Sequence, residues 1–122
     1  MAAKTEPRSG LNYGWNFGET GWNVGMDSNL TRLGRFGFHL SALSRALATP
    51  PASPADGATY IVADSPTDAW AGRAGQVAVW VPGTPTGAWV FGVPRTGWLA
   101  FIEDEAKLAA FYGGAWSAGI AI

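Results

Sequence analysis

The side chains in this sequence whose types and spacing invite a catalytic reading are three consecutive carboxylates, Glu103-Asp104-Glu105, and a single imidazole, His39. Paired carboxylates hydrolyse glycosides when they stand about 5 to 9 Å apart across a sugar, one acting as acid and the other as base or nucleophile. Consecutive residues at the end of a strand do not converge on one substrate, and no second acidic cluster faces them. They read as a solvated turn or a weak calcium contact. One imidazole makes a nucleophilic triad only with a positioned acid and serine, and no spacing signals either. His39 reads as a polar-face strand residue or as part of a subunit interface. Cysteine is absent, which excludes disulfides, thiolate zinc sites and a thiol nucleophile. Gly72-Arg73-Ala74-Gly75 matches neither the P-loop nor the dinucleotide fingerprint. No catalytic residue, metal site or cofactor is expected.

Binding is the chemistry that remains, and the seven tryptophans are its candidates. An indole offers a flat apolar face to a pyranose at little entropic cost, so Trp70, Trp98 and Trp116, with Tyr112, are candidate stacking platforms for a glycan; Trp80 and Trp89 share the chemistry. The competing reading places these rings in the core, because the alanines and glycines around them cannot fill one, and for any single ring it is the stronger reading. A ring beside a turn, Trp70 or Trp116, is the best candidate for exposure. Tyr13, Trp15, Phe17 and Trp22 precede any globular pattern and are spaced by glycine. They form either a lid on the chain's own core or an anchor in a groove of a partner, where buried aromatics act as hot spots.

Composition narrows the partners. A chain of 122 residues suits one domain with an attached arm. Charged residues make up 14% against a usual ~25%, and 17 glycines, 8 prolines and the tryptophans fill the difference. So few charges protect poorly against association, which points to a surface covered by neighbouring chains. The net charge is −1 and the eight cations are scattered, so the basic stripe of a nucleic-acid binder is missing. Residues 1–10 contain Lys4, Glu6 and Arg8 without a following apolar run, so no secretory signal is expected. No stretch approaches the ~18 apolar residues of a membrane span.

The elements that position these residues follow from periodicity. Residues 1–21 read as an extended attachment arm. Trp22, Met26, Leu30 and Leu33 recur on one face and predict a helix over 22–33, capped by Thr20 or Asn23 and stopped at Gly34. The period then changes to two: Phe36, Phe38, Leu40 and Ala42 alternate with Gly37, His39 and Ser41, which predicts a strand. Residues 22–48 thus form a helix plus strand. Residues 49–57 hold three prolines and end in Asp-Gly, and read as a linker. Residues 58–122 read as a Trp-rich antiparallel β domain, with strands at 59–63, 76–81, 88–93, 98–103, 107–112 and 115–120. One cassette is written twice. Val77 to Pro82 leads through a turn to Gly87-Ala88-Trp89, and Leu108 to Gly113 leads to Gly114-Ala115-Trp116. The expected fold is mainly β: a small antiparallel sheet or sandwich of short hairpins, preceded by the arm and one short α-helix.

Several short motifs occur in a specific order: Ser53-Pro54-Ala55-Asp56-Gly57 with Tyr60-Ile61-Val62, Asp68-Ala69-Trp70-Ala71-Gly72, Pro94-Arg95-Thr96-Gly97-Trp98, Glu103-Asp104-Glu105 and Gly113-Gly114-Ala115-Trp116. In this order they resemble an uncharacterised Trp-rich domain of tail, fibre and spike proteins in tailed bacteriophages and gene-transfer-agent particles. Gly14-Trp15, Gly21-Trp22-Asn23-Val24-Gly25-Met26-Asp27 and Asn29-Leu30 resemble the lead-in to that domain. The resemblance covers nearly all of the chain past residue 12 and carries no catalytic residues with it. It implies a virion component assembled in the host cytoplasm, homo-oligomeric and trimeric as fibres and spikes often are. The lack of a long receptor-binding continuation favours a short spike, tail adaptor or decoration subunit. Tyr13, Trp15, Phe17, Trp22, Met26 and Leu30 are then the expected contacts with capsid, portal, tail or fibre subunits. The alternative is a carbohydrate-binding module for bacterial surface glycans.

Overall fold

The computed structural model describes residues 4–37, 39–83 and 86–122. The chain forms two compact units, Met1–His39 and Leu40–Ile122.

In the first unit the arm folds back on itself. Strand β1 (Lys4–Thr5) pairs antiparallel with β2 (Asn12–Tyr13), placing Lys4 opposite Tyr13. The intervening turn gathers on Glu6, whose carboxylate accepts hydrogen bonds from the Ser9 hydroxyl and from the backbone N–H groups of Arg8 and Ser9. These donors, the Ser9 hydroxyl foremost, hold the Glu6 carboxyl below its ordinary value. A single acidic side chain thereby converts the expected extended arm into a hairpin.

Helix α1 spans Trp22–Arg32, and Gly21, at φ 80°, takes the N-cap place expected for Thr20 or Asn23. The chain also passes through Gly34 without stopping, because Leu33–Gly37 continue as a π-type turn. The strand expected from Arg35 therefore does not form there. Phe38 lies outside the described residues, and the alternating stretch yields only β3 (Ser41–Ala42).

The face that α1 buries is polar. Gly25 and Asn29 are buried, whereas Trp22 and Leu30 of the expected apolar stripe are 53% and 60% exposed. The Asn29 side chain donates to the Asn12 carbonyl at 2.8 Å and accepts the Asn12 N–H at 2.6 Å, extending the hairpin's ladder onto the helix. Arg32 Nε donates to the Ser9 carbonyl at 3.0 Å. Trp15 lies over Gly25, where a Cβ would stand 2.6 Å from the indole Cζ2. Hydrogen bonds and one glycine contact dock the hairpin, so the helix keeps its apolar side chains outside.

The second unit contains β3, β4 (Thr59–Ile61), β5 (Val77–Val81), β6 (Ala88–Gly92), β7 (Leu99–Ile102), β8 (Lys107–Tyr112), β9 (Ala115–Trp116) and β10 (Ile120–Ala121). The strand expected over 115–120 is thus two strands. One sheet has the order β10-β8-β7-β3, with β9 also on β8; the other is β4-β5-β6. All pairs are antiparallel except β3 with β7, and the whole fits a small β-sandwich.

Residues 40–47 join the two sheets. The carbonyls of Leu40 and Ala42 accept the N–H groups of Phe101 and Glu103, on the β7 side. One residue later the Leu43 N–H donates to Thr59, while the carbonyls of Ser44 and Leu47 accept the N–H groups of Ile61 and Ala63. The proline-rich stretch 49–57 lies inside this unit and separates no domains. The Thr67 N–H donates to Ala48, the Thr49 and Thr67 hydroxyls share a 2.8 Å hydrogen bond, and the Gly57 N–H donates to Trp80. The boundary falls earlier, between His39 and Leu40.

Strand β5 is buried on both faces: Val77 and Val79 on one, Ala78 on the other. Register places Tyr60, Trp80, Trp89 and Phe91 on the Ala78 side, and Trp70 covers that side from a 3₁₀ turn, Asp68–Trp70. In the other sheet Ala42, Ala100, Ile102 and Ala109 are buried.

Replacing Asn29 by Ala leaves the half-buried N–H and carbonyl of Asn12 without their side-chain partners, at a cost of about 1 kcal/mol. Hydrogen exchange should show the Asn12 amide opening, while the Val79 amide in the second unit keeps its protection.

Candidate functional site

The doubled cassette is a doubled structure. In the first hairpin Trp80 pairs across the strands with Trp89; in the second, Phe111 pairs with Trp116. Both aromatic pairs sit one residue in from the strand ends, and both meet edge to face, with centroids 5.2 Å apart at 67° and 5.3 Å apart at 72°. The second turn is closed by Gly113 and Gly114, both at positive φ, as a two-residue hairpin requires.

The two copies meet different surroundings. Trp89 is half-buried among other rings, with Trp70 at 5.1 Å, Trp80 at 5.2 Å and Tyr60 at 6.1 Å. Trp116 is half-buried, and its indole N–H donates to the Gly75 carbonyl at 2.8 Å, tying the second hairpin to the loop before β5. Among the expected stacking rings, Trp70 is corrected outright. It is fully buried, because the 3₁₀ turn folds it under the aromatic sheet face, and it presents nothing to a sugar. Trp98 is half-buried. Tyr112 is exposed but alternates with Phe111 along β8, so it points to the side opposite the Phe111–Trp116 pair.

Two of the three clustered carboxylates make contacts that hold the fold. Glu105 binds the Arg45 guanidinium through two hydrogen bonds of 2.8 Å, and Arg45 also donates to the carbonyls of Ser117 (2.7 Å) and Ala118 (2.8 Å). Glu103 accepts from the Ser41 hydroxyl at 2.7 Å. Arg45 lowers the Glu105 carboxyl below its ordinary value of 4.5, chiefly through these hydrogen bonds. His39 lies exposed at the boundary of the units. Among the described residues no three His, Cys, Asp or Glu side chains gather as metal ligands, and no helix is long and apolar enough to cross a membrane.

Of the six expected N-terminal contacts, Tyr13, Phe17, Trp22 and Leu30 are exposed, joined by Val24, which spacing did not single out. Met26 is half-buried. Trp15 packs on Gly25, yet its buried indole N–H has no partner in this chain. The second unit exposes a further apolar face. Strand register aligns Ile120, Leu108 and Phe101 in one row across β10, β8 and β7, with Leu99 and Tyr112 on the same side. All but Phe101 are exposed, and Phe101 is half-buried. That face passed unmarked in the sequence, although its signal is present: Leu99-Ala100-Phe101-Ile102 is apolar on both faces, the pattern of a strand covered twice.

Fold and surfaces define a small, mainly β, tryptophan-rich module with an N-terminal helical hairpin unit. Residues 26–117 match the family described as proteins of unknown function, DUF2793, and the chain belongs to that family. No curated protein and no solved structure matches it significantly.

Loss of the Arg45 fork frees two carbonyls and one carboxylate, so Arg45→Ala should lower Tm by about 5 °C. Because the folded Glu105 carboxyl is depressed, its contribution is present above the ordinary carboxyl value and disappears as pH falls through the folded value. Glu105→Gln should therefore differ from the parent at neutral pH and converge with it in acid, as thermal scans across pH 2 to 7 would record.

Proposed function

We propose that this chain is a non-enzymatic structural subunit of a bacteriophage-like particle, a short spike, tail adaptor or decoration protein. The first unit attaches to a neighbouring virion protein through Tyr13, Phe17, Trp22, Val24 and Leu30. The β module associates with other copies, as a trimer, through the apolar face of β7, β8 and β10. It reaches the virion after assembly in the host cytoplasm.

One observation carries this reading: each unit leaves large apolar side chains uncovered, in the second as one aligned sheet face, on a chain with few charges to keep it apart from others. Contiguous exposed apolar patches mark interaction sites. The ground for the particle context is the resemblance of the order of short motifs to a domain of phage and gene-transfer-agent tail proteins. The carboxylates engaged by Arg45 and Ser41 leave little for catalysis.

Light scattering should give a trimeric mass at about 100 µM, well above the Kd of a stable oligomer. The pair Leu108→Glu and Ile120→Glu should yield a folded monomer. Trp22→Glu with Leu30→Glu should leave the trimer intact and exclude the protein from purified particles. A wild-type monomer that is absent from particles would overturn the proposal.

A further inference from the structure

The β module carries a groove lined by none of the residues of its apolar β7-β8-β10 face. It has a volume of 420 Å³ and is built by four separate stretches of the second unit, contributing among others Arg45, Asp64, Gly75, Phe111, Gly114 and Trp116. A depression of 160 Å³ shares Gly75, Phe111 and Gly114 with it and adds Gln76, making one longer track.

Its chemistry is selective. The Trp116 indole is fixed on two sides, by its hydrogen bond to Gly75 and by the Phe111 ring edge-on at 5.3 Å, so little rotamer freedom is lost when something stacks on it. Gly75 and Gly114 lack side chains and leave room beside the ring. The charged groups lining the groove are one carboxylate, Asp64, and one guanidinium, Arg45. Of the five guanidinium N–H donors, four are held by Glu105, Ser117 and Ala118. The groove therefore offers an aromatic wall, one carboxylate acceptor, one spare donor, an amide farther along, and no net charge. A phosphate or an acidic polymer would meet Asp64 without a free cation to balance it. An apolar segment would bury Asp64 unpaired. A neutral sugar ring has an apolar face for the indole and hydroxyls that both donate and accept.

We infer that this groove binds a neutral pyranose oligosaccharide, one ring against Trp116 with its hydroxyls on Asp64, the next reaching Gln76. The inference rests on the proposed particle role and names what the β module would hold at a site that uses none of its association face.

Neutral di- and trisaccharides of glucose, galactose and N-acetylglucosamine, titrated calorimetrically into the full chain, should include one that binds with Kd of about 1 mM or tighter. Trp116→Ala should abolish its binding. Since that change also cuts the tie to Gly75, two variants at exposed positions accompany it. Ala74→Phe fills the groove and should abolish binding; Asp64→Ala should weaken it about tenfold. No titration at about 10 mM, binding confined to acidic glycans, or binding unchanged in Ala74→Phe would each overturn the inference. Mass by light scattering on the same samples separates the two readings. A trimer that ignores sugars sinks the groove alone, and a sugar-binding monomer sinks the assembly alone.

Discussion

The second unit depends on one side chain that reaches two places at once. Residues 40–47 leave one sheet and enter the other, pairing with β7 through Leu40 and Ala42 and with β4 through Leu43 and Ser44. A strand that changes sheets turns a corner with backbone groups left over. Arg45 stands at that corner and grips Glu105 just after β7 and the carbonyls of Ser117 and Ala118 between β9 and β10. A planar guanidinium suits the task because its donors leave in fixed directions, two matched to a carboxylate and the rest free for carbonyls. A lysine would supply the charge without the fork.

With the corner fixed, the aromatic packing follows. The β4-β5-β6 sheet is narrow, and small side chains such as Ala78 cannot fill a core. Large rings do so: Trp70 is inserted from outside the sheet, and Tyr60, Trp89 and Phe91 close around it. The Arg73 guanidinium lies 4.4 Å over the Phe91 ring, covering the cluster with a cation–π contact. Indole rings serve as filler here, so their number in the sequence speaks mainly of core volume.

Much of this architecture was legible from sequence because strands announce themselves by alternation. Val77, Val79 and Val81 fixed one strand, and Gly113-Gly114 fixed a turn that only positive φ permits. The Trp-bearing cassette proved to be a true repeat down to its cross-strand aromatic pair. Other features were hidden for physical reasons. Hydrophobic periodicity located α1, but it reports only apolar faces, and the residues α1 buries, Gly25 and Asn29, dock by a ring contact and by hydrogen bonds. Phe36 to Ala42 alternates in type, yet a π-type turn uses its first residues before any ladder can form. Prolines at 50, 51 and 54 mark irregular backbone, but irregular backbone tied by Thr67 and Trp80 is a loop within a fold. Arg45 went unnoticed because a lone cation in an ambiguous segment signals nothing until Glu105 is placed beside it. The groove wall was half legible, since Trp116 was singled out for its position by a turn while Asp64 was not.

The repeated hairpin has a consequence for how this module can change. Trp89 is hemmed in by three other rings, so a different residue there would disturb the whole cluster. Trp116 occupies the equivalent place in its own hairpin with open space on one side. The same hairpin thus carries one indole that fills a core and another, held at its edges by Gly75 and Phe111, that keeps a face for what lies outside. New surface chemistry can arise around the second, at the exposed Ala74 and Asp64, without touching the cluster around the first.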